Sequence, residues 1–397
     1  MTAPGVPVHG AQIPSPVWWR RFRNIPLTIL AVLSLIAAIV GWTVQYQLDQ
    51  SNNAAAAVPE AAADSDVGSV CRRPVDLPAQ TTWTDDRAAS EQAWTARSAE
   101  LAGPVIEGKD GWYFYNDQIE QNFSQAIGRR LLTVSEITKW RDYFSSIDEA
   151  LAEEGIELSI QITPSATSVY PQQLPDWAQE LRGPTPLDQL LLDSPDLPIV
   201  DFRADLRDAA GENAVYTPVN SHWTDWGGYI GWQTYAECHD SLYPDNPEIG
   251  VPPVVGVKDT GTFNEYAQYG VADTGPAWNA PEYAETLPEI TVIDNKQETK
   301  VTSGTTPVDL LALPATTIND ASASPQTALI LRDSMGGALS SLWNQQYAQT
   351  WQLQHRYDDW SNPPNYAALV AQYKPDVVII QLAERHLVNA PPGTSGY

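Results

Sequence analysis

An uncharged run of 20 residues near the N-terminus, IPLTILAVLSLIAAIVGWTV at residues 25–44, most constrains how this chain can fold. A helix of about 20 apolar residues is needed to cross the ~30 Å hydrocarbon core of a bilayer. Arg20, Arg21 and Arg23 precede the run, and a positive flank of this kind stays in the cytoplasm. The sequence therefore predicts a cytoplasmic tail (1–24), a single transmembrane anchor in the cell membrane and an extracytoplasmic main domain. A cleaved signal peptide is the alternative, but its apolar region is only ~7–15 residues long.

Charge and cysteine content narrow the functions open to the main domain. The chain of 397 residues carries 49 acidic and 22 basic side chains, a net charge of -27. A surface this acidic repels phosphate backbones, which argues against nucleic acid as a partner. There are two cysteines, Cys71 and Cys238, and no CxxC pair, so no thiolate zinc site is expected. Both cysteines fall on the exported side, where disulfides persist, and we predict a bridge between them.

Composition divides the exported part into a linker and a body. Residues 45–99 contain few large apolar side chains and are predicted to be a linker, because they can bury little surface. A packed body is predicted over residues 100–390, where hydrophobic side chains recur with helical and strand periods. Within the body, residues 241–325 are rich in Pro, Gly and Thr and are predicted to be a loop-rich insertion, made of loops and short strands that lie over one face.

Helical and extended patterns alternate along the body. A capping box at Thr133 and Glu136 opens an amphipathic helix that Gly155 ends. Such alternation predicts an α/β fold with a mainly parallel sheet flanked by helices. Further helices are expected over residues 187–192, 204–210, 229–235 and 338–347, and strands over residues 112–115, 156–162, 197–202, 214–217, 328–331 and 376–387.

Two polar stretches could carry chemistry. ALILRDSMGGALSSLW places Ser334 between a buried strand and a helix, at the sheet edge where open α/β folds bind ligands. Asp333 or Ser334 could equally serve only as a helix cap. VNSHWTDWGG holds His222, and a lone histidine is more often structural than catalytic. Together, however, a serine and a histidine can form the nucleophile and base of acyl transfer.

These motifs resemble the alginate O-acetyltransferase family of SGNH-hydrolase-like proteins. The resemblance covers residues 100–390, and the order and spacing of the motifs agree along the chain. The matching residues are the Gly-Lys-Asp-Gly-Trp stretch at 108–112, then Pro164, Tyr170, Pro171, Leu174 and Pro175, the motif His222-Trp223-Thr224, the turn Asp333-Ser334, and Glu384, Arg385 and Leu387.

The resemblance implies an SGNH-hydrolase-like fold and an acetyl transfer. The acetyl group would come from a polytopic membrane O-acyltransferase and pass to a hydroxyl of an exported or cell-wall polysaccharide. Ser334 would form the acyl intermediate, and His222, oriented by Asn220, would be the base. Trp223, Arg385 and Tyr170 are expected to contact the sugar. No metal or other cofactor is expected.

Three departures from the family pattern leave other functions open. Asn220 stands at the family's Asp, Arg332 at the Gly of the nucleophile turn, and Ala166 where Lys is frequent. An amide orients an imidazole without charge, and replacing the triad Asp by Asn costs ~10⁴-fold in a serine protease, so slow turnover is expected. Asp225, just after His222, is an alternative orienter. An acetyl esterase of the same fold and a catalytically inactive polysaccharide-binding or scaffold protein are the alternative functions.

Protease added to intact cells that express the protein is expected to digest the chain after residue 45, because the positive flank keeps the N-terminus inside. Immunoblots of an N-terminal and a C-terminal tag report the result, with permeabilised cells as the control. A domain released into the medium with a new N-terminus near Ala57 would show a cleaved signal peptide instead.

Overall fold

The structure, a computed structural model, describes residues 25–56, 71–72, 87–273, 275–393 and 395–397. The expected cytoplasmic tail, together with residues 57–70 and 73–86 of the expected linker, lies outside the described residues. The chain divides into two compact units, of which the first ends at Ala54 and the second comprises Ala55–Tyr397.

The first unit contains one long apolar helix, α1 (Ile25–Asn52), of 28 residues. At 1.5 Å per residue it is about 42 Å long. Its apolar side chains are exposed, with Leu30 at 62% and Leu33 at 57%. The segment Thr28–Asn52 is long and apolar enough to cross a membrane. The helix also continues past the expected end of the anchor, so the first residues of the expected linker are helical.

The second unit is built from short helices around a large sheet. Its helices are α2 (Arg87–Ser98), α3 (Asn122–Ala126), α4 (Val134–Glu154), α5 (Ala166–Val169), α6 (Asp176–Gln179), α7 (Pro186–Asp193), α8 (Arg203–Ala209), α9 (Asp225–Leu242), α10 (Gly337–Gln346) and α11 (Tyr366–Tyr373). Its strands are β1 (Val105–Glu107), β2 (Tyr113–Tyr115), β3 (Glu157–Thr163), β4 (Ile199–Asp201), β5 (Val254–Asp259), β6 (Asn279–Tyr283), β7 (Ile290–Ile293), β8 (Thr299–Thr302), β9 (Ala315–Ile318), β10 (Ser324–Arg332), β11 (Tyr347–Gln354) and β12 (Val377–Ala383).

The main sheet has eight strands in the order β4-β3-β12-β10-β11-β9-β7-β8. The first five run parallel, which confirms the predicted α/β fold. The last three are antiparallel, so the sheet is mixed. These three strands come from the expected insertion, which was predicted to lie over one face. Each has only four residues, too few for a periodic pattern to be recognised.

The predicted capping signals set the ends of α4, the helix before β3. The Thr133 hydroxyl accepts the Glu136 N–H at 3.2 Å, and the Glu136 carboxylate accepts the Thr133 N–H at 2.8 Å. Gly155 ends the helix with φ 71°, a left-handed conformation that suits glycine. Every residue of β3 is buried, because helices cover both faces of the sheet at this strand.

Successive residues of the central strands face opposite layers of the core. In β10, Ala328 and Ile330 pack with residues of α8, α9 and α10. Leu329 and Leu331 pack on the other face with residues of α4, α7 and α11. This alternation makes the second unit a three-layer α/β/α structure.

The second unit begins before residue 100, so the expected linker is shorter than predicted. Trp94 on α2 stacks on Trp177 with 6.4 Å between ring centroids. Cys71 and Cys238 form a disulfide, and both are buried. The neighbouring Arg72 donates to the carbonyl of Leu191 at 2.9 Å. Part of the expected linker therefore belongs to the body.

Several local elements differ from expectation, including the end of the strand predicted over residues 376–387, which stops at Ala383 and continues as a 3₁₀ helix (Glu384–Val388). Residues 214–217 form only an isolated bridge, between Tyr216 and Trp223, so the predicted strand is wrong. β11 and α11 were not predicted. The residues of β11 alternate between polar and apolar only from Thr350 onward, and β11 follows α10 with no intervening loop that would separate the two patterns.

Replacing Cys71 and Cys238 together by Ser is expected to lower the free energy of unfolding by ~2–4 kcal/mol. The bridge joins positions 167 residues apart, so its loss frees a long loop in the unfolded chain. Urea unfolding of the full-length protein in detergent measures the change, with reduced wild type as the control. Two free thiols per chain in denatured, unreduced protein would contradict the bridge.

Candidate active site

Ser334 lies at the carboxyl edge of the parallel strands. β10 ends at Arg332 and α10 begins at Gly337, so Ser334 is in the short turn between them. The adjacent β12 ends at Ala383, whose N–H donates to the carboxylate of Asp333 at 2.7 Å. Ligands of open α/β sheets bind at this edge.

His222 contacts Ser334 from the loop before α9. Its Nε2 is 2.9 Å from the Ser334 Oγ, although the two residues are 112 positions apart. The approach depends on Gly228, because a Cβ there would lie 2.7 Å from the carbonyl oxygen of Ala338 on α10. The glycine behind the histidine motif therefore allows α9 to pack closely enough on α10 for the two side chains to meet.

Asn220 holds the imidazole of His222 in one tautomer. Its Oδ1 is 3.0 Å from Nδ1 and accepts the His222 backbone N–H at 2.9 Å. Its Nδ2 donates to the carbonyl of Phe263 at 2.8 Å, which requires the amide oxygen to face the ring. Nδ1 is consequently the protonated nitrogen, and Nε2 presents a lone pair to the hydroxyl of Ser334.

A second group, Glu265, lies beside the same ring nitrogen. Its Oε2 is 3.4 Å from Nδ1 of His222. The same oxygen accepts the backbone N–H of Ser221 at 2.8 Å and its hydroxyl at 2.6 Å. The Tyr115 hydroxyl donates to Oε1 at 2.7 Å. Burial would raise the pKa of the Glu265 carboxyl, but His222 and the Ser221 donors lower it to about 2.

Sequence reasoning missed Glu265. The residue begins a 3₁₀ helix (Glu265–Tyr269) within the expected insertion, 44 positions after Ser221. Its backbone N–H donates to the carbonyl of Val219 at 3.1 Å, so the insertion pairs directly with the histidine loop. No spacing or periodic pattern links the two segments in the sequence.

Trp223 and Tyr170 belong to the core and not to a sugar-binding surface. Trp223 is 1% exposed, and its indole N–H donates to the carbonyl of Met335 at 2.7 Å. The Tyr170 hydroxyl accepts the N–H of Val215 at 3.3 Å, and the side chain is buried. The expectation that these rings contact a sugar is corrected, since both are enclosed by the fold. Trp223 instead supports the turn that carries Ser334.

Asp225 does not orient His222. It begins α9, and its carboxylate accepts the indole N–H of Trp278 at 3.2 Å. It lines a separate cavity together with Lys258, and burial raises the pKa of its carboxyl. The alternative orienter is therefore corrected, because the first turn of α9 directs this side chain toward the insertion.

Asp333 fixes the nucleophile turn with a carboxylate whose side chain is 11% exposed. Its Oδ1 accepts the N–H of Met335 at 2.8 Å, and its Oδ2 is 3.2 Å from Nε2 of His386. Burial would lower the pKa of His386, but hydrogen bonds to Asp333 and Glu120 raise it to about 9. Burial would raise the pKa of Asp333, but His355 and His386 hold it well below the usual range.

Arg332, which replaces the family's glycine, supports the turn from inside the fold. It is 1% exposed, and Nη1 donates to the carbonyl of Asp333 at 3.0 Å. Nε donates to the Gln352 side chain at 2.9 Å. Burial lowers the pKa of the guanidinium to about 10. The substitution therefore adds internal hydrogen bonds to the turn and does not put a charge over Ser334.

Two cavities adjoin the Ser334 turn, and Arg385 lines both. The first, of about 190 Å³, is also lined by Ser334, Arg356 and His386. The second is lined by Ala166, Ser221 and Met335 among others. The Nε of Arg385 is 3.1 Å from the Glu120 carboxylate. Of the three residues expected to contact the sugar, Arg385 is thus the one that reaches the opening. Glu384 is buried, and its carboxylate accepts the N–H of Ser165 at 2.8 Å.

Asp333→Asn is expected to destabilise the protein by up to about 3–5 kcal/mol, because it removes one of the two carboxylates that pair with the buried His386 cation and leaves Glu120 as the other. Because the pKa of Asp333 is lowered in the folded protein, its contribution to the free energy of unfolding is present above about pH 4 and is lost below it. Because the pKa of His386 is raised in the folded protein, its contribution to the free energy of unfolding is complete below about pH 6.5 and is lost as the pH rises through 9.

Urea unfolding of full-length wild type and variant in detergent, from pH 3 to 10, tests this window. The difference between the two proteins should be largest between about pH 4 and 6.5. Asp358→Asn, an exposed carboxylate on the same cavity, is the matched control. Equal stability of wild type and Asp333→Asn at pH 6 would contradict the assignment.

Comparisons with known proteins bear on the fold and on the family that this chain resembles. Residues 105–300 match the family described as SGNH hydrolase-like domain, acetyltransferase AlgX. No curated protein sequence matches the chain. The structure is similar to Bacillus cereus PatB1, with a TM-score of 0.51, 14% identity, and coverage of 71% of this chain and 96% of that chain.

Two Pseudomonas structures are also similar, with TM-scores below 0.5. The O-acetyltransferase domain of Pseudomonas putida AlgJ has a TM-score of 0.42 and 16% identity over 74% of this chain and 95% of that chain. Pseudomonas aeruginosa AlgX has a TM-score of 0.41 and 17% identity over 73% of this chain and 68% of that chain.

The family match confirms the resemblance drawn from the motifs, and the similarity to PatB1 confirms the SGNH-like α/β fold. The enzyme class that follows is an O-acetyltransferase of the SGNH type. Over residues 105–300, just under half of its length, this chain is thus similar to the SGNH hydrolase-like domain of the acetyltransferase AlgX.

Proposed function

We propose that this protein is a membrane-anchored, extracytoplasmic O-acetyltransferase that carries an acetyl group on Ser334 and passes it to a polysaccharide hydroxyl. The supporting observation is the 2.9 Å contact between Ser334 Oγ and His222 Nε2, with Asn220 holding the other ring nitrogen. A hydroxyl facing an unprotonated imidazole nitrogen is the arrangement that activates a serine nucleophile.

In the first step, Ser334 Oγ attacks the carbonyl carbon of the acetyl donor while its proton moves to Nε2 of His222. The tetrahedral intermediate then expels the donor's leaving group, which takes the proton back from His222. The Ser334 N–H and one further donor stabilise the oxyanion, because the turn precedes the N-terminus of α10. The product of this step is acetyl-Ser334 with a neutral imidazole.

In the second step, a sugar hydroxyl replaces the leaving group. His222 removes the proton of that hydroxyl, whose oxygen attacks the acetyl carbon. Ser334 leaves and regains its proton from His222. Water competes for the same intermediate, so the acceptor must be bound beside Ser334, and Arg385 is positioned to contact it from the wall of both cavities.

The proposal assigns α1 the role of anchor, with the N-terminus in the cytoplasm. Its length and apolar surface suit that role, and an anchor would keep the domain beside a membrane partner. A polytopic membrane O-acyltransferase is proposed as the source of the acetyl group, since an extracytoplasmic enzyme cannot draw on a cytoplasmic pool. The acceptor is proposed to be an exported or cell-wall polysaccharide.

Incubating the full-length protein in detergent with p-nitrophenyl acetate is expected to add the mass of one acetyl group to Ser334, because that hydroxyl faces the base. Intact-mass and peptide mass spectrometry measure the adduct. Ser334→Ala and His222→Ala should both abolish adduct and ester turnover. Ser341→Ala, at a serine on α10 that lines the separate cavity beside Asp225, should leave both unchanged.

Equal background rates for wild type and Ser334→Ala, without an adduct, would show a non-catalytic protein and overturn the proposal. The acetylated wild type should also lose its adduct faster when oligosaccharides are added, because the acceptor hydroxyl is then in place. An adduct that is discharged only by water, whichever oligosaccharide is supplied, would identify an esterase.

A further inference from the structure

We propose that Glu265 supplies the negative charge that Asn220 cannot supply, so that two residues share the work of one triad carboxylate. The inference rests on the proposed function, in which His222 becomes an imidazolium during acyl transfer. A triad carboxylate has two tasks: it sets the tautomer of the imidazole, and it stabilises the cation that forms. The proposal assigns the first task to Asn220 and the second to Glu265.

Asn220 is suited to the first task because its amide cannot turn. Its Nδ2 donates to the carbonyl of Phe263 at 2.8 Å, and its Oδ1 receives the backbone N–H of His222 at 2.9 Å. If the amide turned over, its N–H₂ would face the His222 N–H, donor against donor, and its oxygen would face the Phe263 carbonyl, acceptor against acceptor. The penalty that an Asn usually brings to a triad, a histidine held in the wrong tautomer, is therefore avoided here.

Glu265 is suited to the second task by distance and by its fixed position. Its Oε2 is 3.4 Å from Nδ1 of His222, an ion-pair distance. Two donors of Ser221 and the hydroxyl of Tyr115 hold the two carboxylate oxygens. A carboxylate preorganised in this way stabilises a cation without having to reorient when the cation forms.

The other charged and titratable groups around this pair do not compete for the role. Tyr115 on β2 stays protonated, because burial and the neighbouring Glu265 raise its pKa. Burial also raises the pKa of Tyr266, which follows Glu265 in the same 3₁₀ helix. The ring of Tyr269 contacts the ring of Tyr115 edge-on. Arg385, after β12, pairs with Glu120 at 3.1 Å. Asp333 faces His355 and His386. Among the described residues, the carboxylate within ion-pair distance of His222 is that of Glu265.

A purely structural Glu265 would leave a different signature from a charged one. Gln at this position has nearly the same shape and keeps a carbonyl oxygen that accepts from Ser221. Glu265→Gln therefore removes the charge and keeps an acceptor for Ser221, while the new amide N–H₂ can donate to the Tyr115 hydroxyl in place of accepting from it. A structural role predicts little change in the base, whereas a charge role predicts a less basic His222 and a less stable imidazolium.

The experiment uses the full-length protein in detergent, with p-nitrophenyl acetate as the probe. Glu265→Gln should lower kcat roughly 10- to 100-fold with little change in KM, less than the ~10⁴-fold loss at a fully buried triad, because this pair is partly exposed. The midpoint of the pH profile of kcat/KM should move to lower pH by about one unit. Glu285→Gln, an exposed carboxylate in the same insertion, is the control for the change in net charge.

A second measurement does not require turnover. The protonation of the His222 ring is followed by its NMR chemical shifts, assigned with His222→Ala. In Glu265→Gln the midpoint should move to lower pH by about one unit, and in Glu285→Gln it should not move. Adding Asn220→Asp to Glu265→Gln should move the midpoint back up, because a charge is restored beside Nδ1.

The outcomes separate this inference from the proposed function. An unchanged His222 midpoint in Glu265→Gln overturns the role of Glu265, even if wild type turns over acetyl esters. A shifted midpoint without turnover in wild type leaves the charge assignment standing and overturns the acetyl transfer. A loss of kcat without any shift in either pH midpoint would mean that Glu265 acts only by holding the loop, and would overturn the inference.

Discussion

The carboxylate of Asp333, largely removed from water, is the group on which the geometry of the site depends. It accepts N–H groups from Met335, directly after Ser334, and from Ala383, at the end of β12. Its charge is balanced by His386, whose pKa it helps to raise to about 9. A charge with this little contact with water is tolerated only when it is paired and hydrogen-bonded. The hydrogen bonds that Asp333 accepts from Met335 and Ala383 join the ends of the adjacent strands β10 and β12, and so fix the direction in which Ser334 projects.

The histidine side of the site is assembled from elements that are distant in the chain. Gly228 lets α9 approach α10 closely, and the indole N–H of Trp223 donates a hydrogen bond to the carbonyl of Met335. These two contacts hold the histidine loop against the serine turn. The insertion then closes the site from a third direction, with Phe263 orienting Asn220 and Glu265 placed beside His222. A segment that looks featureless in composition thus completes the polar surroundings of the base.

This arrangement gives a physical reading of the departures from the family pattern. Asn220 retains the orientation of the imidazole, since its amide is fixed by the backbone on one side and by the insertion on the other. Arg332 makes its bonds within the fold, to a backbone carbonyl and to Gln352. Both substitutions are accommodated by hydrogen-bond partners, so neither leaves an unpaired polar group at the site.

Local patterns were sufficient to predict much of the architecture. The capping box at Thr133, the αL glycine at Gly155 and the buried run in β10 are short-range signals, because each depends on residues within one or two turns of the chain. The four-residue strands β7, β8 and β9 carry too few side chains for such a signal, and their place in the sheet depends on pairing with β11.

The sequence by itself determined the apolar N-terminal helix, the parallel centre of the sheet and the motifs of Ser334 and His222, because these follow from periodicity, hydropathy and short motifs. Tertiary structure alone decided which carboxylate meets the histidine. Asp225 is close in sequence but bonds Trp278, whereas Glu265 is distant in sequence and lies 3.4 Å from Nδ1. The physical reason is that an ion pair depends on separation in space, which here is set by the packing of the insertion against the histidine loop.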